Sequence, residues 1–176
     1  GCFEEGVIHE CMNFAALHKL PIIFVCENNN YSVYTQLKDR QPDRKIINIA
    51  KAHGLKTHTA NGNDVLEVSS IAHNAVSNVK LGDGPQFFEL DTYRWLEHCG
   101  PFDDDHLDYR PSGELAIWKD SCPVGKLKKH IKSKGSHEKI FKTIEMEIDK
   151  EIKLAFEFAK NSPIPKIEDL NKYTYA

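Results

Sequence analysis

Three consecutive asparagines, Asn28, Asn29 and Asn30, followed by Tyr31, stand directly behind the apolar run "IIFVC". Strand interiors disfavour Asn, and polar amides beside a buried strand need partners. Amide oxygens and backbone carbonyls are hard ligands of the kind magnesium takes, commonly together with phosphate. Asn29 and Tyr31 are therefore candidate metal ligands. On the residues alone, a turn in which the amide caps the strand end is the competing reading.

A second group lies in "TYRWLEHCG", where His98 follows a strand and sits close in sequence to Glu97 and Arg94. A loop histidine at the end of a strand is placed for proton chemistry, the alternative being an ordinary surface ring. The acidic run Asp103 to Asp105 either binds a cation or is simply solvated in its loop. Cys11, Cys26 and Cys99 carry no flanking signature of a nucleophile, so they read as buried or incidental thiols. The lysines of "KLKKHIKSKGSHEK" lack the interleaved Trp or Tyr that stacking on bases requires, and read as a charged helix face.

Positioning these residues requires a scaffold, and the periodicity describes one. A helix is expected over 4–20, with Glu4 and Glu5 in its first turn and Pro21 stopping it. "IIFVC" then reads as a buried strand ending at Glu27, followed by a long polar loop to residue 44. A short helix over 45–54 closes on Gly54, and "LKTHTA" is a strand. Asn63 or Asp64 caps a helix over 65–82, and "QFFELDTYR" is the next strand. Alternation of helix and strand to residue 94 implies an α/β domain with a mostly parallel sheet. Residues 95–112 are irregular; beyond them come helices over 113–120, 123–135 and 137–160 and a proline-bearing tail. The expected division is 1–112 for the α/β domain and 113–176 for a helical extension.

Composition bounds the function. With 40% hydrophobic residues, 28% charged residues and a net charge of -3, the chain is an ordinary globular protein and not a nucleic-acid binder by default. No apolar run approaches the roughly 18 to 20 residues that cross a bilayer, and no signal-peptide pattern is present. The five cysteines are odd in number and show no CxxC spacing, which points to a reducing compartment. Gly1 opens directly onto a helical pattern, so the sequence reads as part of a longer chain.

Taken together, "GCFEEGVIHECMNFAALHKLPIIFVCENNNYSV" resembles the thiamine-diphosphate motif in the alpha subunit of 2-oxo-acid dehydrogenases, the pyruvate and acetoin types being nearest. That motif opens with Gly-Asp-Gly and closes on Glu-Asn-Asn-x-Tyr, which "ENNNY" matches. Gly1 then takes the place of the last glycine, and the metal-binding aspartate would precede it. The resemblance continues through "NGND", "GPQFFELDTYRW", "EHCGP", "DDDHLDYR" and "YTYA".

The resemblance implies a thiamine-diphosphate-binding fold, with the Asn29 side-chain oxygen and the Tyr31 carbonyl on Mg²⁺. It places Gly1 and Cys2 where the backbone approaches the diphosphate at a helix N-terminus. His98 corresponds to the histidine of the mobile loop that lies near the cofactor and aids acyl passage to lipoyl-lysine. Arg94 supports that loop, while Asn28 and Asn30 are structural. Implied partners are a beta subunit in an α₂β₂ assembly, a lipoyl-bearing acyltransferase and a 2-oxo-acid substrate, pyruvate first. The implied compartment is bacterial cytoplasm or mitochondrial matrix. Acetoin cleavage is the near alternative, and a non-catalytic partner-binding module is the distant one. Where pyruvate-type loops commonly read His-Gly-His-Ser, this chain has Leu96-Glu97-His98-Cys99, so the regulatory phosphoserine has no counterpart.

Overall fold

The computed structural model describes every residue except Ser136, Tyr173, Tyr175 and Ala176, so most of the "YTYA" motif lies outside the described residues. The described residues form two compact units, 1–130 and 131–176.

The first unit is built on three parallel strands, β1 (Ile23–Asn28), β4 (Lys56–Asn61) and β5 (Gln86–Asp91), in the order β1-β5-β4. β5 is central because its residues are apolar on both faces. Phe87 packs with Met12, Ile46, Ile47, Ala50 and Leu55, whereas Phe88 and Leu90 pack with Ala60 and Ala75. Successive side chains leave a strand on opposite faces. Helices α1 (Gly6–Leu17) and α2 (Ile46–Ala52) therefore cover one face, and α3 (Val65–Lys80) the other. This is the expected parallel α/β arrangement. In register, Asn28 lies opposite Asp91, and Asp91 opposite Asn61, so all three strands end together.

Local details depart from expectation at four places. α1 begins at Gly6, after a 3-10 turn over Cys2–Glu4, so neither glutamate falls in its first helical turn. It also ends before Pro21: Lys19 adopts φ 49°, with Lys19 N–H donating to Ala16 O and Leu20 N–H to Ala15 O. That is the double hydrogen bond of a left-handed helix stop, built here without glycine. β1 is not fully buried, since Val25 is 54% exposed. Among the described residues it is an outer strand, paired with β5 alone. The polar stretch after β1 contains a small antiparallel hairpin, β2 (Tyr31–Ser32) and β3 (Thr35–Gln36). Two-residue strands leave no periodicity to read, and Val33 and Tyr34 are not usual hairpin-turn residues.

Other elements fall as the sequence indicates. Gly54, at φ 85°, follows α2, and the Asp64 carboxylate caps α3 by accepting from Leu66 and Glu67 N–H, each at 3.0 Å. The unit boundary does not coincide with the expected division at 112/113: α4 (Glu114–Asp120) belongs to the first unit, and α5 (Pro123–Ser133) begins there and ends in the second. The second unit carries α6 (Glu138–Asn161), which presents Ile140, Ile144, Ile148, Ile152 and Phe156 at four-residue spacing without burying any of them. No helix among the described residues is long and apolar enough to cross a membrane.

Candidate functional site

At the carboxyl ends of β1 and β5 lies an open cavity of about 690 Å³. Its walls include Gly1, Cys2, Asn29, Tyr31 and His98, all five of the candidate site residues, together with Arg94. Ligands of open α/β sheets bind in this position.

Asn29 is engaged in the turn that competes with the metal reading, its Oδ1 accepting from Tyr31 N–H at 3.0 Å. The two readings are compatible, because an amide oxygen has two lone pairs and this turn uses one. Asn28 makes the analogous bond to Asn30 N–H at 3.1 Å, and its Nδ2 donates to Glu89 at 3.1 Å. Asn30 takes φ 65°, a conformation Asn tolerates better than most residues. Val33 takes φ 54°, an uncommon conformation for a β-branched residue, and lines the cavity. Gly1 comes so close to the hairpin that a Cβ there would meet Ser32 Oγ at 2.5 Å. The first residue of the helix-start segment and the loop after β1 thus converge so closely that a side chain at Gly1 would require Ser32 to move.

Arg94 organises the opposite wall. Its guanidinium donates to Val33 O at 2.9 Å, Leu96 O at 3.0 Å and the Tyr109 hydroxyl at 2.8 Å. Its Nη1 also faces His98 Nδ1 at 3.4 Å. Arginine has no acceptor, so this contact assigns Nδ1 as acceptor and leaves Nε2 carrying the proton. His98 is itself exposed at the cavity mouth.

Beneath this loop the acidic run behaves differently from a solvated one. Asp104 is 1% exposed and pairs with Arg110 at 2.9 Å, the Tyr109 hydroxyl donating to its other oxygen at 2.6 Å. Among the described residues Arg110 Nε and Nη1 have no hydrogen-bond partner; the guanidinium lies instead 5.2 Å from the Tyr93 ring and 4.9 Å from that of Tyr109. Charge and ring faces hold this pair more than directional bonding does. The hydroxyls of Tyr31 and Tyr93 both donate to Glu114 Oε2, at 2.6 and 2.8 Å. Burial first, then these bonds to Glu114, hold both phenols far above their ordinary pKa, so they remain donors at physiological pH.

Sequence reasoning also missed Glu4, Arg40 and Gln41. Glu4 pairs with Arg40 and accepts from Gln41 Nε2 at 2.8 Å, joining the helix-start segment to the polar loop. No local pattern signals a contact across 36 residues. Cys26 lines the cavity, but burial, and then the charge of Glu89, push its thiol up to about 11, so it stays protonated and is no nucleophile.

The donor set suits a magnesium diphosphate in kind: an amide oxygen with a free lone pair, backbone carbonyls and a glycine permitting close approach. Among the described residues no three His, Cys, Asp or Glu side chains cluster to hold a metal. Such an ion would therefore draw here on amide and carbonyl oxygens.

A parallel sheet flanked by helices, with an open cavity at its strand ends, makes this an α/β protein. A family model described as the dehydrogenase E1 component matches residues 1–168, and the chain belongs to that family. It is 37% identical to the chloroplastic pyruvate dehydrogenase E1 component subunit alpha-3 of Arabidopsis thaliana, over 100% of this chain and 41% of that protein. It is 34% identical to the 2-oxoisovalerate dehydrogenase subunit alpha of Bacillus subtilis (strain 168), over 100% of this chain and 53% of that protein. For the pyruvate dehydrogenase E1 component subunit alpha of Porphyra purpurea the figures are 35%, 100% and 51%. The chain thus spans about half the length of the curated relatives it matches.

Two outcomes follow from this geometry. Replacing Arg110 with Leu leaves Asp104 buried without its cation, and should destabilise the fold by about 3 to 5 kcal/mol in urea denaturation followed by Trp fluorescence. Adding Asp104→Asn should recover part of the loss. The Gln41 bond, then the Arg40 charge, hold the Glu4 carboxyl below its usual range. Its stabilisation is present above the ordinary carboxylate pKa of about 4.3 and disappears as pH falls through the lowered folded value. Melting temperatures between pH 7 and 3 should accordingly fall less steeply for Glu4→Gln than for the parent.

Proposed function

We propose that this chain forms the cofactor-binding part of the alpha subunit of a 2-oxo-acid dehydrogenase, using thiamine diphosphate and Mg²⁺. The observation that carries the reading is the single cavity lined by Gly1, Cys2, Asn29, Tyr31 and His98 together. The reaction is oxidative decarboxylation of a 2-oxo acid, pyruvate first, with the acyl group passing to a lipoyl carrier. Acetoin cleavage remains the near alternative. The similarity to a 2-oxoisovalerate dehydrogenase subunit makes branched-chain oxo acids a further substrate to assay.

In this reading the Asn29 side-chain oxygen and the Tyr31 carbonyl hold Mg²⁺, while the backbone at Gly1 and Cys2 approaches the diphosphate. When bound, thiamine diphosphate supplies the nucleophile and the electron sink for the 2-oxo carbon. Arg94 holds the loop against the Val33 carbonyl, and His98 offers its Nε2 proton at the mouth of the cavity during acyl transfer. A beta subunit completes the site in an α₂β₂ assembly, and a lipoyl-bearing acyltransferase is the acceptor. The five cysteines are all free thiols, in keeping with bacterial cytoplasm or mitochondrial matrix.

Calorimetry on the full-length alpha subunit assembled with its beta subunit tests the reading: thiamine diphosphate should bind only when Mg²⁺ is present, and absence of binding would overturn it. In the same titration Asn29→Ala should weaken binding roughly 10- to 100-fold. Asn30→Gly, which accepts the positive φ, should bind as the parent does; equal losses in both variants would count against Asn29 as a ligand. His98→Ala should slow reductive acylation of a lipoyl domain roughly 100-fold while cofactor affinity changes little. Stopped-flow acylation at the parental rate would remove His98 from the mechanism.

A further inference from the structure

The loop carrying Asn29 and Tyr31 is pinned on both sides by carboxylates that lie far along the chain. On one side, Asn28 Nδ2 donates to Glu89 Oε1 at 3.1 Å, while Glu89 Oε2 accepts from Ile47 N–H at 2.9 Å. α2 receives no side-chain cap from its own N-cap residue, Lys45, so Glu89 supplies the negative group at that helix's positive end. The carboxylate is thereby fixed by one oxygen and grips Asn28 with the other. On the other side, Glu114 Oε2 accepts from the Tyr31 hydroxyl at 2.6 Å and from the Tyr93 hydroxyl at 2.8 Å. Only Asn29 and Asn30 lie between the two anchored residues. Both are shaped by amide-to-backbone bonds, and Asn30 is in the left-handed region.

A mobile loop loses conformational entropy when it ligates an ion, whereas a loop already held in place does not. We propose that Glu89 and Glu114 are positioning residues that preorganise the Asn29 amide and the Tyr31 carbonyl for the metal ion. Neither touches the ion: Glu89 acts through Asn28, and Glu114 through the Tyr31 ring. The inference rests on the cofactor reading above.

The test has one readout without cofactor and one with it, both on the full-length assembly with its beta subunit. Glu89→Gln sets an amide NH₂ against either Asn28 Nδ2 or Ile47 N–H, and Tyr31→Phe deletes only the hydroxyl. In the cofactor-free assembly, hydrogen exchange of the peptide spanning Asn28 to Ser32 should quicken about tenfold in each variant. In calorimetry, the Mg²⁺ concentration for half-maximal cofactor binding should rise about tenfold. For Glu89→Gln, turnover at saturating Mg²⁺ should return to within about twofold of the parent. Glu114→Gln keeps an acceptor oxygen and should match the parent in exchange and in Mg²⁺ dependence. Unchanged exchange in Glu89→Gln and Tyr31→Phe would overturn the inference and leave the cofactor reading standing. A turnover loss in Glu89→Gln that saturating Mg²⁺ does not restore would also overturn it. A parent assembly that binds no cofactor would overturn both.

Discussion

The parallel pairing of β1 with β5 is the constraint on which the site depends. Its register sets Asn28 opposite Asp91, and Thr92 N–H continues the ladder by donating to Asn28 O at 3.1 Å. The asparagine loop and the loop carrying His98 therefore leave the sheet at one level and face one cavity. A side-chain period of two makes this register costly to change, since a slip of one residue would drive Phe87 and Phe88 to the wrong faces. Core packing and site geometry are fixed by the same hydrogen-bonded ladder.

Behind the His98 loop, polar groups replace apolar ones as the packing material. Asp104, Arg110, Tyr109 and Arg94 form a continuous set in which each charge has an opposite charge or a ring face beside it. Burying a charge is unfavourable unless it is compensated, so such a set tolerates few alternative arrangements. It fixes a segment whose regular structure, among the described residues, is a single 3-10 turn over Asp105–Leu107. Arg94 then transmits that conformation to the Val33 carbonyl on the far wall.

Much of this was legible in the sequence where local physics decides. The apolar spacing of Val65–Lys80, the Asp64 cap and Gly54 after α2 each state their structure within a few residues. The resemblance placed Gly1, Cys2, Asn29, Tyr31 and His98 together, and one cavity holds them. Illegible were features decided across the fold. An aspartate in "DDD" looks solvated until Arg110 and Tyr109 fold over it. The stop at Lys19 lacks the glycine that usually announces one, and the hairpin at Tyr31–Gln36 is too short for a period to appear. Glu4, Glu89 and Glu114 look like ordinary surface acids, because their partners lie between 21 and 83 residues away.

The separation between Tyr31 and Glu114 has a consequence for how the chain acquires its shape. The three described strands all lie before Thr92, whereas the 83-residue contact that fastens Tyr31 cannot form until α4 exists and returns to it. Long-range closures of this kind are late events, because their entropy is lost before any contact offsets it. During synthesis, then, the sheet should consolidate first, and the asparagine loop should stay mobile until the C-terminal helices emerge from the ribosome.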